Sequence, residues 1–81
     1  MDRGVVRYLM DQVDEAIADY NESLRLRPQD PRTYYNRASA YRKKGQIDQA
    51  IADYRSALDL DPTLVQAEAK LKEIGVDVPH R

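Results

Sequence analysis

The chain has 81 residues, enough for one small domain whose core is too modest to be very stable without extra help. A third of the residues are charged, yet the net charge is only −1, so bulk attraction to nucleic acid or to an anionic membrane is not indicated. Cysteine is absent, which excludes disulfides, thiolate nucleophiles and cysteine-ligated metals.

In chain order, MDRGVVRYLM carries no signal-peptide apolar run, and no stretch approaches membrane-spanning length. The expectation is a soluble cytoplasmic protein. A first helix is expected from about Asp2 to Met10, with a turn near Asp11. A second should run from Asp14 to Arg27, with Ala16, Ile17, Tyr20 and Leu24 inward and Pro28 as its stop. Asp30 followed by Pro31 is a start signal, an acceptor for free amides and then a residue preset for the first turn. The helix from Pro31 to Lys44 places Tyr34, Ala38 and Tyr41 on one face, with Arg37 on its flank. Gly45 supplies the left-handed residue that ends it, after a basic last turn. The next helix begins near Asp48 and carries Ala50, Ile51, Tyr54, Ala57 and Leu58 as far as Leu60. Thr63-x-x-Gln66 reads as a capping box ahead of a last helix with Leu64, Ala67, Leu71 and Ile74 in one stripe. Gly75 closes that helix, and 76–81 is a tail.

These elements repeat. Residues 12–28, QVDEAIADYNESLRLRP, lie in register over 46–62, QIDQAIADYRSALDLDP, at a constant offset of thirty-four residues. A fixed period of that size means stacked units, none able to bury its apolar face alone. Extending the register sets Arg3-Gly4 over Arg37-Ala38, Arg7 over Tyr41 and Asp11 over Gly45. The chain therefore starts inside its own repeat.

With Tyr34, Arg37-Ala38, Tyr41, Ala50-x3-Tyr54 and Pro62 in place, and Arg3-Gly4, Ala16-x3-Tyr20 and Pro28 in the partial copy, the chain resembles the tetratricopeptide repeat family over roughly residues 2–74. The resemblance implies an all-α fold: helix-turn-helix repeats stacked as a short right-handed α-solenoid of five helices. It comprises a TPR domain over 1–75 (truncated first repeat 1–30, complete second repeat 31–64, C-terminal capping helix 64–75) and the tail. It further implies a concave groove, lined by first helices, that holds peptides or extended segments.

Catalytic constellations are missing. His80 is the only histidine and sits in the tail without partners to orient it. Asp59-x-Asp61 opens like a calcium loop, but Leu64 stands where glycine is required and Lys70 where the bidentate glutamate belongs. No phosphate loop, nucleophile elbow or His-Glu-x-x-His occurs. The recurring Asp14/Asp48 and Asp19/Asp53 are helix-start residues and solvated or packing positions. No enzyme, cofactor or metal is expected.

Four of the six tyrosines fall at inward spacing, which favours core packing over base stacking. Tyr35 is the exception and should face the open side of the first-helix layer. Arg32, Asn36, Ser39, Arg42 and Lys43 share that side, and Lys70 is added from the last helix. Pro31 to Gly45 holds five basic residues and no acid, whereas Asp48, Asp53, Asp59 and Asp61 lie on second helices. Under the family's geometry the inner surface is basic and the outer acidic, and an acidic peptide is the natural ligand. Family members that grip the acidic C-termini of heat-shock chaperones use a carboxylate clamp of Lys, Asn and Arg. Here Asn36 and Lys70 match it, while Met1, Val5 and Gln66 depart from it. The alternatives are a self-assembly element, homodimeric through Val5, Val6, Leu9 and Met10, and a fragment of a longer scaffold.

Overall fold

A computed structural model describes residues 3–75, with side chains from Gln12 onward. Four helices follow one another: α1 (Arg3–Leu26), α2 (Pro31–Lys43), α3 (Ile47–Leu60) and α4 (Val65–Ile74). Among the described residues there is no strand. Each helix packs on its neighbours in the chain, most extensively α2 on α3.

The expected start and stop signals operate at α2. Asp30 is extended (φ −98°, ψ 103°), and its carboxylate accepts from the Arg32 amide at 3.1 Å and from the Thr33 hydroxyl at 3.1 Å. Pro31 then opens the helix. Gly45, at φ +82°, turns the chain into α3, and its α-carbon faces open space. Gly45→Ala should therefore lower stability by the backbone term alone, about 1–2 kcal/mol, with Gly45→Asn milder. Urea unfolding with an unchanged slope checks this, because a steric clash would cost more.

Two expectations about the elements are corrected. The separate helices 2–10 and 14–27 do not exist, because α1 runs unbroken for 24 residues. Position 11 is Asp where the later copy has Gly45, and bending an L-residue into the left-handed region there is unfavourable. Among the described residues the stack has four helices, not five. The capping box at Thr63 is not made either. Leu64 is the residue before α4 and contributes no side-chain cap. Thr63 instead donates its amide (3.1 Å) and hydroxyl (2.5 Å) to Asp61 Oδ1. The stronger local acceptor lies two residues upstream and takes both bonds, which makes Asp61 a turn residue.

The core is centred on α2, α3 and α4: Ala38, Ala50, Tyr54, Ala57, Ala67 and Leu71 are inaccessible or nearly so. Tyr34, Tyr35, Tyr41, Ile51, Leu58, Leu64 and Ile74 pack around them, partly buried. Small residues let the backbones approach while Tyr54 and Leu71 fill the space between layers. On α1, Ile17 and Leu24 are buried, but Ala16 and Tyr20 only half so. Gly75 ends α4 at φ +103°, as its position after the apolar stripe implies.

A further correction concerns charge. Asp53, counted among the outer acids, is 5% exposed. Its two oxygens accept from Arg37 Nε (2.7 Å) and Nη2 (2.8 Å). Arg37 also donates through Nη1 to Asn21 of α1 at 2.8 Å, and lies over the rings of Tyr34 and Tyr41. One guanidinium thus ties α1, α2 and α3 together. Lys44, just past α2, reaches Asp14 of α1 at 2.5 Å.

Candidate functional site

The open face of α2 carries the expected recognition residues at helical spacing. Ser39, Arg42 and Lys43 form its C-terminal half, and α4 brings Lys70 across from the other side. With Tyr54 of α3 at the base, these four line a shallow depression of about 380 Å³. Arg32 and Asn36 are exposed, and Tyr35 is half-buried. These three lie outside the depression, farther toward the N-terminus of α2. Arg32 stands about 15 Å along the axis from Arg42, at 1.5 Å per residue. The surface is a strip along α2 that deepens at one end.

Tyr35 does not stand free above the strip. Its ring meets Tyr54 edge-on, with centroids 5.6 Å apart and planes at 62°. It is a half-buried member of the core margin with one edge available. Tyr54 in turn offers its hydroxyl to Ser39 Oγ at 2.8 Å, so the base of the depression holds a hydroxyl pair.

The electrostatics are less one-sided than the sequence indicated. Arg37 is turned into the α1–α2–α3 junction and Lys44 is held by Asp14, which leaves Arg32, Arg42 and Lys43 on the open side of α2. Glu73 of α4, not anticipated, enters the same site. Arg42 Nη1 donates to its Oε1 at 3.1 Å, and Lys70 Nζ lies 3.8 Å from its Oε2. The signal for Glu73 was its place three residues after Lys70; that it also meets Arg42 depends on how α4 packs. Arg42, Lys43 and Lys70 against Glu73 leave two net positive charges. All four ionic side chains are part-exposed or exposed, so the Glu73 pairs are weak and exchangeable. An arriving carboxylate can take either cation from Glu73 without desolvating a buried ion.

Among the described residues no group of His, Cys, Asp or Glu could hold a metal ion, and no helix is long and apolar enough to cross a membrane. His80 and the tail lie outside the described residues, as does Met1. Val5, Val6, Leu9 and Met10 lie on α1 but outside the residues whose side chains are described.

The thirty-four-residue period and the helix-turn-helix unit at 31–64 are matched by a tetratricopeptide repeat model over residues 31–64, and a second TPR model matches 4–43. The chain belongs to the tetratricopeptide repeat family. Its TPR segment is similar to the Hsp70-Hsp90 organizing protein of Triticum aestivum, 35% identical over 65 residues, 80% of this chain and 11% of that protein. It is also similar to Hsp70-Hsp90 organizing protein 2 of Arabidopsis thaliana, 34% identical over 56 residues, 69% of this chain and 10% of that protein. The chain thus spans about a tenth of the length of these curated relatives. No solved structure matches it significantly. As a TPR unit with these relatives, it is a protein–protein interaction module.

Proposed function

We propose that this TPR module works by binding, without turnover, and holds an extended acidic peptide segment along the open face of α2. The observation that carries this reading is the depression in which Arg42, Lys43 and Lys70 surround the Ser39–Tyr54 hydroxyl pair, with the part-exposed Glu73 paired to Arg42 and Lys70. An incoming carboxylate would replace Glu73 on Arg42, and the peptide would continue past the edge of Tyr35 toward Asn36 and Arg32. Charge-assisted hydrogen bonds from arginine and lysine suit such a ligand, and an extended chain suits a strip of this length. The relatives' names concern Hsp70 and Hsp90, and chaperone tails are one source of acidic segments. Met1, Val5 and Gln66 stand where a chaperone-tail clamp needs Lys or Asn, which favours an acidic ligand gripped differently.

The test is fluorescence polarisation with a labelled Asp/Glu-rich peptide and its Asn/Gln counterpart. Binding of the acidic peptide alone is expected, weakening as salt rises. The double reversal Arg42→Glu with Lys43→Glu should weaken it at least about a hundredfold, because two charge-assisted contacts of about 1.5–3 kcal/mol each are lost. Circular dichroism should remain unchanged. Equal binding of both peptides, or a folded double variant that binds normally, overturns the assignment.

A second reading, association with another copy of the chain, is favoured by the length of α1. Lys44, at the end of α2, lies level with Asp14, so α2 covers α1 only from there to its C-terminus. Residues 3–13 extend about 16 Å beyond that cover. Val5, Val6, Leu9, Met10 and Val13 recur there at helical spacing.

A further inference from the structure

The two copies of the repeat share ten of seventeen residues over 12–28 and 46–62, Ile-Ala-Asp-Tyr among them, so an equivalent residue that differs in environment between them marks a contact that one copy has and the other lacks. Tyr54 and Ala50 are fully buried, and their equivalents Tyr20 and Ala16 are only half-buried. Ala57 is fully buried, and its equivalent Ser23 is half-buried. Asp53 is buried and bound by Arg37 through Nε and Nη2, whereas Asp19, its equivalent, is exposed and takes part in no ion pair among the described residues. In the second unit the covering element is α2, which turns back at Gly45 and lays Arg37 over Asp53, sixteen residues on.

The first unit has the matching residue, since Arg3 stands sixteen residues before Asp19 in the same register. It cannot reach. Because α1 is unbroken, Arg3 is about 24 Å up the axis from Asp19. The segment that would cover α1 within one chain instead points away from it in line.

We infer that a second copy of this chain supplies the missing cover: two α1 helices pair antiparallel about a two-fold axis near Asp11, and Arg3 of each binds Asp19 of the other. This rests on the self-association reading above and specifies its geometry. The register is that of the second unit. There Arg37 faces Asp53 about a centre at Gly45, and shifting both by one repeat sets Arg3 against Asp19 about a centre at Asp11. The same shift of the α2–α3 register sets Val6 opposite Ala16 and Leu9 opposite Val13. Such a contact is isologous, so one interface makes both ion pairs and covers both exposed faces of α1. It places the helical hairpin that Gly45 makes within one chain between two chains, because a left-handed turn is less favourable at Asp11 than at a glycine.

The test uses Arg3→Glu and Asp19→Arg, alone and mixed, in sedimentation velocity over a concentration series. Wild type should sediment as a dimer. Each variant alone sets like charges together at both symmetric contacts and should dissociate at least about tenfold more readily. Mixing the two variants should restore a heterodimer near wild-type affinity. At one of its contacts the two introduced side chains meet with opposite charge, and at the other the native Arg3–Asp19 pair re-forms. A wild-type chain that stays monomeric at high micromolar concentration overturns self-association altogether. A wild-type dimer whose variants dimerise equally well alone and mixed leaves self-association standing and overturns this pairing.

Discussion

Replacing Asp53 with alanine is expected to leave the chain largely unfolded at room temperature. The residue is 5% exposed, and its carboxylate engages two nitrogens of Arg37, whose third nitrogen reaches Asn21 on α1. Removing one partner of a buried pair strands the other charge and costs about 3–5 kcal/mol, and a core of this size rarely supplies more than about that amount. Loss of the helical circular dichroism signal, or a urea midpoint near zero, is the expected readout. Asp53→Asn retains an acceptor for one guanidinium nitrogen and should fall between the alanine variant and wild type. The apolar double replacement, Arg37→Met with Asp53→Leu, should be less damaging than Asp53→Ala, because no charge is stranded. A melting temperature for Asp53→Ala within a few degrees of wild type would falsify the junction's structural role.

The pH dependence of this junction has a definite sign at its basic end. Hydrogen bonding to Asp53 holds the Arg37 guanidinium above its ordinary range. A raised folded-state pKa contributes stability below the unfolded value and loses it only as pH climbs through the folded one. Arginine stays protonated to above about pH 12, so alkaline conditions short of that leave the Arg37 contribution intact.

Tyr54→Ala should be as destructive, and comparison with Tyr54→Phe separates the two things the residue does. The ring is wholly inaccessible, packed among Ala38, Ala50, Ala57, Ala67 and Leu71 and met edge-on by Tyr35. Deleting it opens a cavity between the α2, α3 and α4 layers, at about 3–5 kcal/mol. Phenylalanine keeps the ring and its contacts and loses only the hydroxyl bond to Ser39, about 1 kcal/mol. Chemical denaturation should therefore place Tyr54→Phe close to wild type and Tyr54→Ala far below it. Near-equal destabilisation by both substitutions would mean that the hydroxyl, not the ring, carries the residue.

The repeat, the helix-turn-helix unit at 31–64 and the inward faces were legible in the residues alone, because periodicity and punctuation are local properties. Asp30-Pro31 starts α2 and Gly45 ends it by backbone preferences that need no distant partner. The helical spacing of Ser39, Arg42 and Lys43 likewise put them on one face of α2 before any packing was known. Relations between layers became visible only with the helices packed. Arg37 and Asp53 are sixteen residues apart, and nothing local distinguishes a buried bidentate pair from two solvated charges until α2 lies antiparallel on α3. Glu73 entered the site because α4 crosses near the end of α2, and it met a cation thirty-one residues away. Asp19 and Asp53 sit in the same Ile-Ala-Asp-Tyr sequence, yet one is exposed and the other buried. The difference lies in whether a helix turns back over them, which Gly45 favours and Asp11 disfavours. Identical local sequence specifies an identical helix; the layer laid over that helix specifies what its charges do.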